Sequence, residues 1–175
     1  MTSFTIFKDR IIRAAKLDAN LYEEVEADTT AMQQAMLVVV LSGVAAGIGS
    51  IASGGLAGVF IGTLITLTSW YIWAFLTYFI GTRWFPEPHT KADMGELLRT
   101  IGFSSAPGLI RVLGIIPELR KIVFLVASIW MLVAMVIAVK QALDYTSTWR
   151  AVGVCAIGWF IQIAFLMLLF MIAGK

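Results

Sequence analysis

Hydrophobic and polar positions divide this chain into long apolar blocks separated by short charged ones. The longest block, Thr29 to Thr82, is fifty-four residues without Asp, Glu, Lys, Arg or His. A bilayer core about 30 Å thick takes about 20 helical residues to cross. The block therefore fits two crossings, about Ala31 to Ser50 and about Leu56 to Gly81. Between them Gly47-Ile-Gly-Ser-Ile-Ala-Ser-Gly-Gly55 supplies a turn of small, backbone-permissive residues. The uncharged run Ile122 to Val139 predicts a further crossing, and Ala151 to Gly174, with Gln162 its main polar residue, the last.

Leu97 to Ile116 is long enough to cross but carries Arg99, Ser104, Ser105 and Arg111, with Gly102, Pro107 and Gly108 as breaks. A proline removes a backbone hydrogen bond and disfavours a straight helix. Broken backbone at membrane depth persists only where protein or water surrounds it. This segment is expected inside the bundle, away from lipid. Gly43 and Gly47 are four apart, as are Gly54, Gly58 and Gly62. Small residues at that spacing let helices in lipid approach closely, so these five are expected to join the first two helices. Beyond them Trp70, Tyr71, Trp73, Phe75, Tyr78, Phe79, Trp84 and Phe85 contribute to an interfacial belt.

Ahead of the apolar blocks, Thr5 to Asn20 predicts an amphipathic helix. Phe4, Phe7, Ile11 and Ala14 or Ala15 share a face, while Lys8, Arg10, Arg13 and Lys16 lie mostly off it, with Asp9 and Arg13 an i,i+4 pair. Two readings stand: the stripe rests on an anionic leaflet, or it packs on the bundle. Leu21 to Asp28 then carries four acids. Thr30-Ala-Met-Gln33 has capping-box form, the alternative being one helix unbroken from about Asp18.

Composition agrees with the pattern. Hydrophobic residues make up 59% and charged ones 14%, against about 25% charged in ordinary soluble proteins. A net charge of +2, thinly scattered, is too weak to suggest nucleic acid, and none is expected as a partner. Cys155, the one cysteine, reads as inert apolar filler. His89, the one histidine, has no second ligand at metal spacing, so neither metal nor other cofactor is expected. Glu23-Glu24 and Ala52-Ser53-Gly54 each suggest an intramembrane protease motif, but both lack the histidine such sites need. The expectation is a protein without catalysis.

One electrostatic constellation stands out. Glu24, Glu26 and Asp28 precede the first crossing, Arg99 begins the broken segment, and Lys140, Asp144 and Arg150 bracket the last turn. With five crossings all of them gather near one membrane face. Ionisable groups at membrane depth are costly and usually paired. They either clamp helix ends together or line a polar pocket for an ion, lipid headgroup or small solute.

Basic residues favour the cytoplasmic side. Five crossings with the amino terminus inside place nine of the thirteen there, leaving Arg111, Arg120, Lys121 and Lys175 outside. A re-entrant third segment would place eleven inside. Leu21-Tyr-Glu-Glu-Val-Glu-Ala-Asp-Thr-Thr-Ala-Met-Gln-Gln-Ala35, Arg99-Thr-Ile-Gly-Phe-Ser-Ser-Ala-Pro-Gly108 and Lys140-Gln-Ala-Leu-Asp-Tyr-Thr-Ser-Thr-Trp-Arg-Ala151 resemble, in order, the bacterial branch of the Yip family, the Ypt/Rab-interacting membrane proteins. The resemblance implies five membrane helices and a cytoplasmic amino terminus, and it favours five crossings over the re-entrant alternative.

In the eukaryotic branch it implies Golgi and ER trafficking, binding of Rab-type GTPases and shaping of membranes. The Asp-Leu-Tyr-Gly-Pro-type motif of that branch has only Asn20-Leu-Tyr-Glu23 as a counterpart. The expected fold class is thus an all-α integral membrane bundle of five helices, the third short and proline-broken, after an amphipathic cytoplasmic helix. Residues 1–30 form the amino-terminal segment and 31–175 the transmembrane domain, in a bacterial inner membrane. The expected role is to organise membrane lipids, partner proteins or further copies of the chain. The competing role is a small channel or transporter built around Arg99.

Overall fold

The computed structural model describes residues 3–173, with side chains described as far as residue 164 and again at 167; Gly174 and Lys175 of the sequence reading lie outside it. Seven α-helices follow in order: α1 (Ser3–Ala15), α2 (Ala19–Ala27), α3 (Met32–Gly49), α4 (Ile51–Phe79), α5 (Met94–Phe103), α6 (Pro117–Ala142) and α7 (Thr148–Ala173). A 3-10 turn, Thr29–Ala31, leads into α3, a π-helical turn, Ile80–Trp84, ends α4, and a 3-10 stretch, Ala106–Ile115, follows α5. Among the described residues, three helical runs are long and apolar enough to cross a membrane: Thr29–Gly49, Ile51–Trp84 and Pro117–Ala142. Thr148–Ala164 adds a shorter apolar helix.

The chain breaks between α2 and α3, so no helix runs unbroken from Asp18. Nor is Thr30 the cap: the Asp28 carboxylate accepts the Thr30 amide (2.9 Å) and hydroxyl (2.6 Å), and Ala31 gives α3 no side-chain cap.

α3 and α4 form a tight antiparallel hairpin hinged at Ser50. Gly43 faces Thr63 and Thr66, and Gly47 faces Val59 so closely that an added Cβ would lie 2.7 Å from the Val59 Cα. The other expected packing glycines do not join this seam. A Cβ at Gly54, Gly58 or Gly62 would meet nothing within 4 Å. The reason is the phase of α4. Gly55 (φ 59, ψ −167) is non-helical and resets the helix, so Val59, Thr63 and Thr66 face α3 while the glycine row faces outward.

α5 starts with a full capping box, Asp93 and Glu96 each accepting the other's amide (2.8 and 2.7 Å). It stops before Pro107, whose ring and missing N–H forbid another α turn. The chain continues as a 3-10 stretch of ten residues, far beyond the usual three or four. Phe103 to Gly108 are buried, Pro107 among them.

This segment runs parallel to α3. Gly102 abuts Ala35, Gly108 abuts Ser42 and Gly114 abuts the Gly49 carbonyl. Steps of six residues on one strand match seven on the other, so the two travel side by side along the whole length of α3. On the other flank α6 runs antiparallel, with Met131 at Gly108 and Phe124 at Gly114. α7 packs on α4 through Gly158 and Trp73.

Candidate functional site

The amino-terminal layer comes first in chain order. Phe7, Ile11 and Ala14 pack α1 into a core with Leu21, Tyr22, Val25, Ala35 and Phe103. Leu17 takes a left-handed conformation (φ 63), and Asp18 then caps α2 by accepting the Asn20 amide at 3.0 Å. That reversal sets the acids of α2 against the arginines of α1.

Arg10, 6% exposed, sits at the centre. It donates to Glu24 Oε1 (2.9 Å), Asp28 Oδ2 (2.8 Å) and Gln34 Oε1 (2.9 Å), joining α1, α2 and α3. Arg13 donates to Asp18 (2.8 Å) and Glu24 (2.5 Å). Burial pushes the Glu24 carboxyl up, but bonds from Arg13 and Arg10 outweigh it and hold it below its ordinary value. The Thr30 hydroxyl and Arg10 likewise depress Asp28.

Arg99, 5% exposed, pairs with no carboxylate among the described residues. Its Nε donates to the Val25 carbonyl (2.9 Å) and its Nη2 to the Glu26 carbonyl. These are last-turn carbonyls of α2, groups that a helix end leaves without partners. Beside them Glu26 is anomalous. Its Oε2 is buried without a hydrogen-bond partner. Burial first, then the charges of Glu23, Glu96 and Asp144, push this carboxyl up to about 8 against the pull of Arg99.

A third group lies at the α4–α5 and α6–α7 connections. Glu87 accepts the Thr146 amide (2.9 Å) and hydroxyl (2.8 Å) and pairs with Arg150 at 3.3 Å. The Tyr145 hydroxyl donates to the Phe85 carbonyl at 2.7 Å. Asp144 turns the chain (φ 52), and Lys140 makes no ion pair among the described residues.

The seven expected residues are therefore divided. Glu24 and Asp28 belong to Arg10, Glu26 stands with Arg99 and near Asp144, Arg150 belongs to Glu87, and Lys140 stands apart. Beyond the Asp9–Arg13 pair, which forms at 3.8 Å, the contacts of Arg10, Arg13, Gln34 and Glu87 were not anticipated. The contrast of an arginine-bearing α1 with an acid-only α2 was the available signal. No group of three or more His, Cys, Asp or Glu among the described residues has the arrangement to hold a metal ion.

Comparison with known proteins gives a family. The family model of the Yip1 domain matches residues 21–170. The chain belongs to the Yip1 family. The Yip1 match begins inside α2 and ends inside α7, so it takes in the Arg99 contacts as well as the bundle. No curated protein and no solved structure matches the chain. With its family and its long apolar helices, this Yip1 protein is a membrane protein.

Proposed function

We propose that this Yip1 protein is a non-enzymatic scaffold of the bacterial inner membrane. It crosses five times with its amino terminus in the cytoplasm, and it organises lipid or partner proteins. The broken segment is the third crossing: running parallel to α3 from Ala35 to Gly49 supports passage from one face to the other, since a re-entrant loop would double back. The short connections of Asp144 to Ser147 and around Ser50 suit a compact bacterial bundle.

The observation that carries the scaffold reading is the use of Arg99. A guanidinium lining a path for solute keeps donors free, whereas this one is buried on two backbone carbonyls and fastens α2 to α5. Around it α1 and α2 present a fixed surface at the bundle end. Proteoliposomes loaded with ions or small solutes test the reading. No flux above that of empty vesicles is expected. Flux that is lost in a folded Arg99→Ala variant would establish the transporter instead.

A further inference from the structure

Arg111 pairs with no other charge among the described residues, and, unlike Arg99, it has no backbone carbonyl in a carboxylate's place. Its Nη2 donates to Ser128 Oγ at 3.1 Å, and its guanidinium lies 5.5 Å from the Phe124 ring centroid. Its Nε is buried with no partner. The side chain borders a cavity of about 360 Å³ between α4, the broken segment, α6 and α7, whose polar wall is Thr66, Ser69, Ser104, Ser105 and Ser128. Among the described residues no carboxylate lines it. Ser69 and Ser105 hold hydroxyls that bond to nothing else among the described residues. The cavity thus offers a cation and unused donors, with no acid to neutralise them. A guanidinium in that setting is costly until an anion meets it.

The cavity does not end at its polar wall. Trp73, Ser128, Leu132, Met135 and Trp159 also line a second space of about 730 Å³, an almost wholly apolar groove between α6 and α7. Along α6 the groove reaches from Ser128 to Ile137, about 13 Å of helix. It runs from the Arg111 level toward the end that carries α1 and α2, where Ile137 packs on the amino-terminal core. Charge at one end and a greasy channel from it match an amphiphile, head at Arg111 and tail between α6 and α7.

We propose that this is a binding site for a phospholipid with a net-anionic headgroup. The lipid phosphate takes the free donors of Arg111, Ser69 and Ser105, and one acyl chain occupies the α6–α7 groove. Free phosphate would satisfy the head alone, and a zwitterionic lipid carries its own cation to the phosphate. The site rests on the reading of the chain as a lipid-organising scaffold and names the lipid class.

The test is native mass spectrometry with thermal melting of the delipidated full chain in detergent. Phosphatidylglycerol, phosphatidylcholine and inorganic phosphate are added separately. Phosphatidylglycerol should be retained and raise the melting temperature, with the other two giving little. Arg111→Gln should weaken its binding by about tenfold, the worth of a lost charge-assisted bond. Ala156→Phe, which fills the groove and leaves Arg111 intact, should weaken it as well, and it carries the test alone if Arg111→Gln does not fold. Equal retention of the two lipids, stabilisation by phosphate equal to that by phosphatidylglycerol, or indifference to Ala156→Phe overturns the proposal. Solute flux from a protein that still binds phosphatidylglycerol at Arg111 would overturn the scaffold reading alone.

Discussion

The Arg99 side chain bonds the main-chain carbonyl of Val25, 74 positions earlier in the chain. One residue of α5 thereby closes the end of α2 and fixes the amino-terminal layer to the bundle. Arg99→Met keeps the bulk and removes both bonds, leaving the Val25 carbonyl buried and unpaired at about 1–3 kcal/mol and the part-buried Glu26 carbonyl unpaired at less. Lysine is a poor rescue, because a single ammonium lacks the fork that spans two acceptors. Hydrogen exchange should quicken across α2 in both variants with α6 unchanged. Equal protection of α2 in Arg99→Met would refute the clamp.

Glu26 gives the layer a pH dependence. Its folded value of about 8 stands above the ordinary 4.5, so the folded protein holds the proton more tightly than the unfolded chain does. The stabilisation is full below 4.5 and is lost as pH rises through about 8. Glu24 and Asp28 act oppositely: their contribution is present above the ordinary carboxylate range and lost as pH falls through their depressed values. The melting temperature in detergent should decline from pH 6 to pH 9 in the parent protein. Glu26→Gln, a neutral mimic of the protonated acid, should flatten that decline. An identical slope in the variant would show that Glu26 is not responsible.

Two glycines of the first hairpin should respond in opposite ways. Gly47→Leu drives a side chain into the Val59 backbone and should cost about 1–3 kcal/mol or more by overpacking. Gly58→Leu projects into open space and should stay within about 0.5 kcal/mol. Melting of both variants in detergent distinguishes them, and comparable losses would mean the glycine row of α4 is covered in the native assembly.

Topology is open to thiol labelling in a Cys155→Ser background. In intact cells an impermeant maleimide should reach cysteine placed at Ser53 or Lys121. It should reach cysteine at Lys91 or Lys140 only after the membrane is opened. Labelling of Lys121 and Lys91 from the same side would mean the broken segment turns back.

What was legible in the sequence followed from the cost of putting polar backbone or charge in lipid. That rule found the apolar blocks, the break near Pro107 and its burial, and the need for Arg99 to have partners. It did not find those partners, because a buried arginine meets carbonyls or carboxylates with equal ease and every residue carries a carbonyl. Arg10 was missed for a related reason: its acids lie 14 and 18 residues on, and only the left-handed turn at Leu17 brings them back. The outward Gly54, Gly58 and Gly62 failed on phase. A spacing of four says that three residues share a face, but not which way it points once Gly55 has reset the helix.

The 3-10 stretch has an implication for how the chain is made. Its ten residues lie between α3 on one flank and α6 on the other, and irregular main chain does not survive against acyl tails. When it leaves the ribosome the first hairpin exists but the second flank does not. Synthesis must therefore reach Met131 before the stretch is sealed on both sides. Until then the insertion machinery, or water within it, has to stand in for the missing helix, and biogenesis acquires a fixed order with a vulnerable interval at its centre.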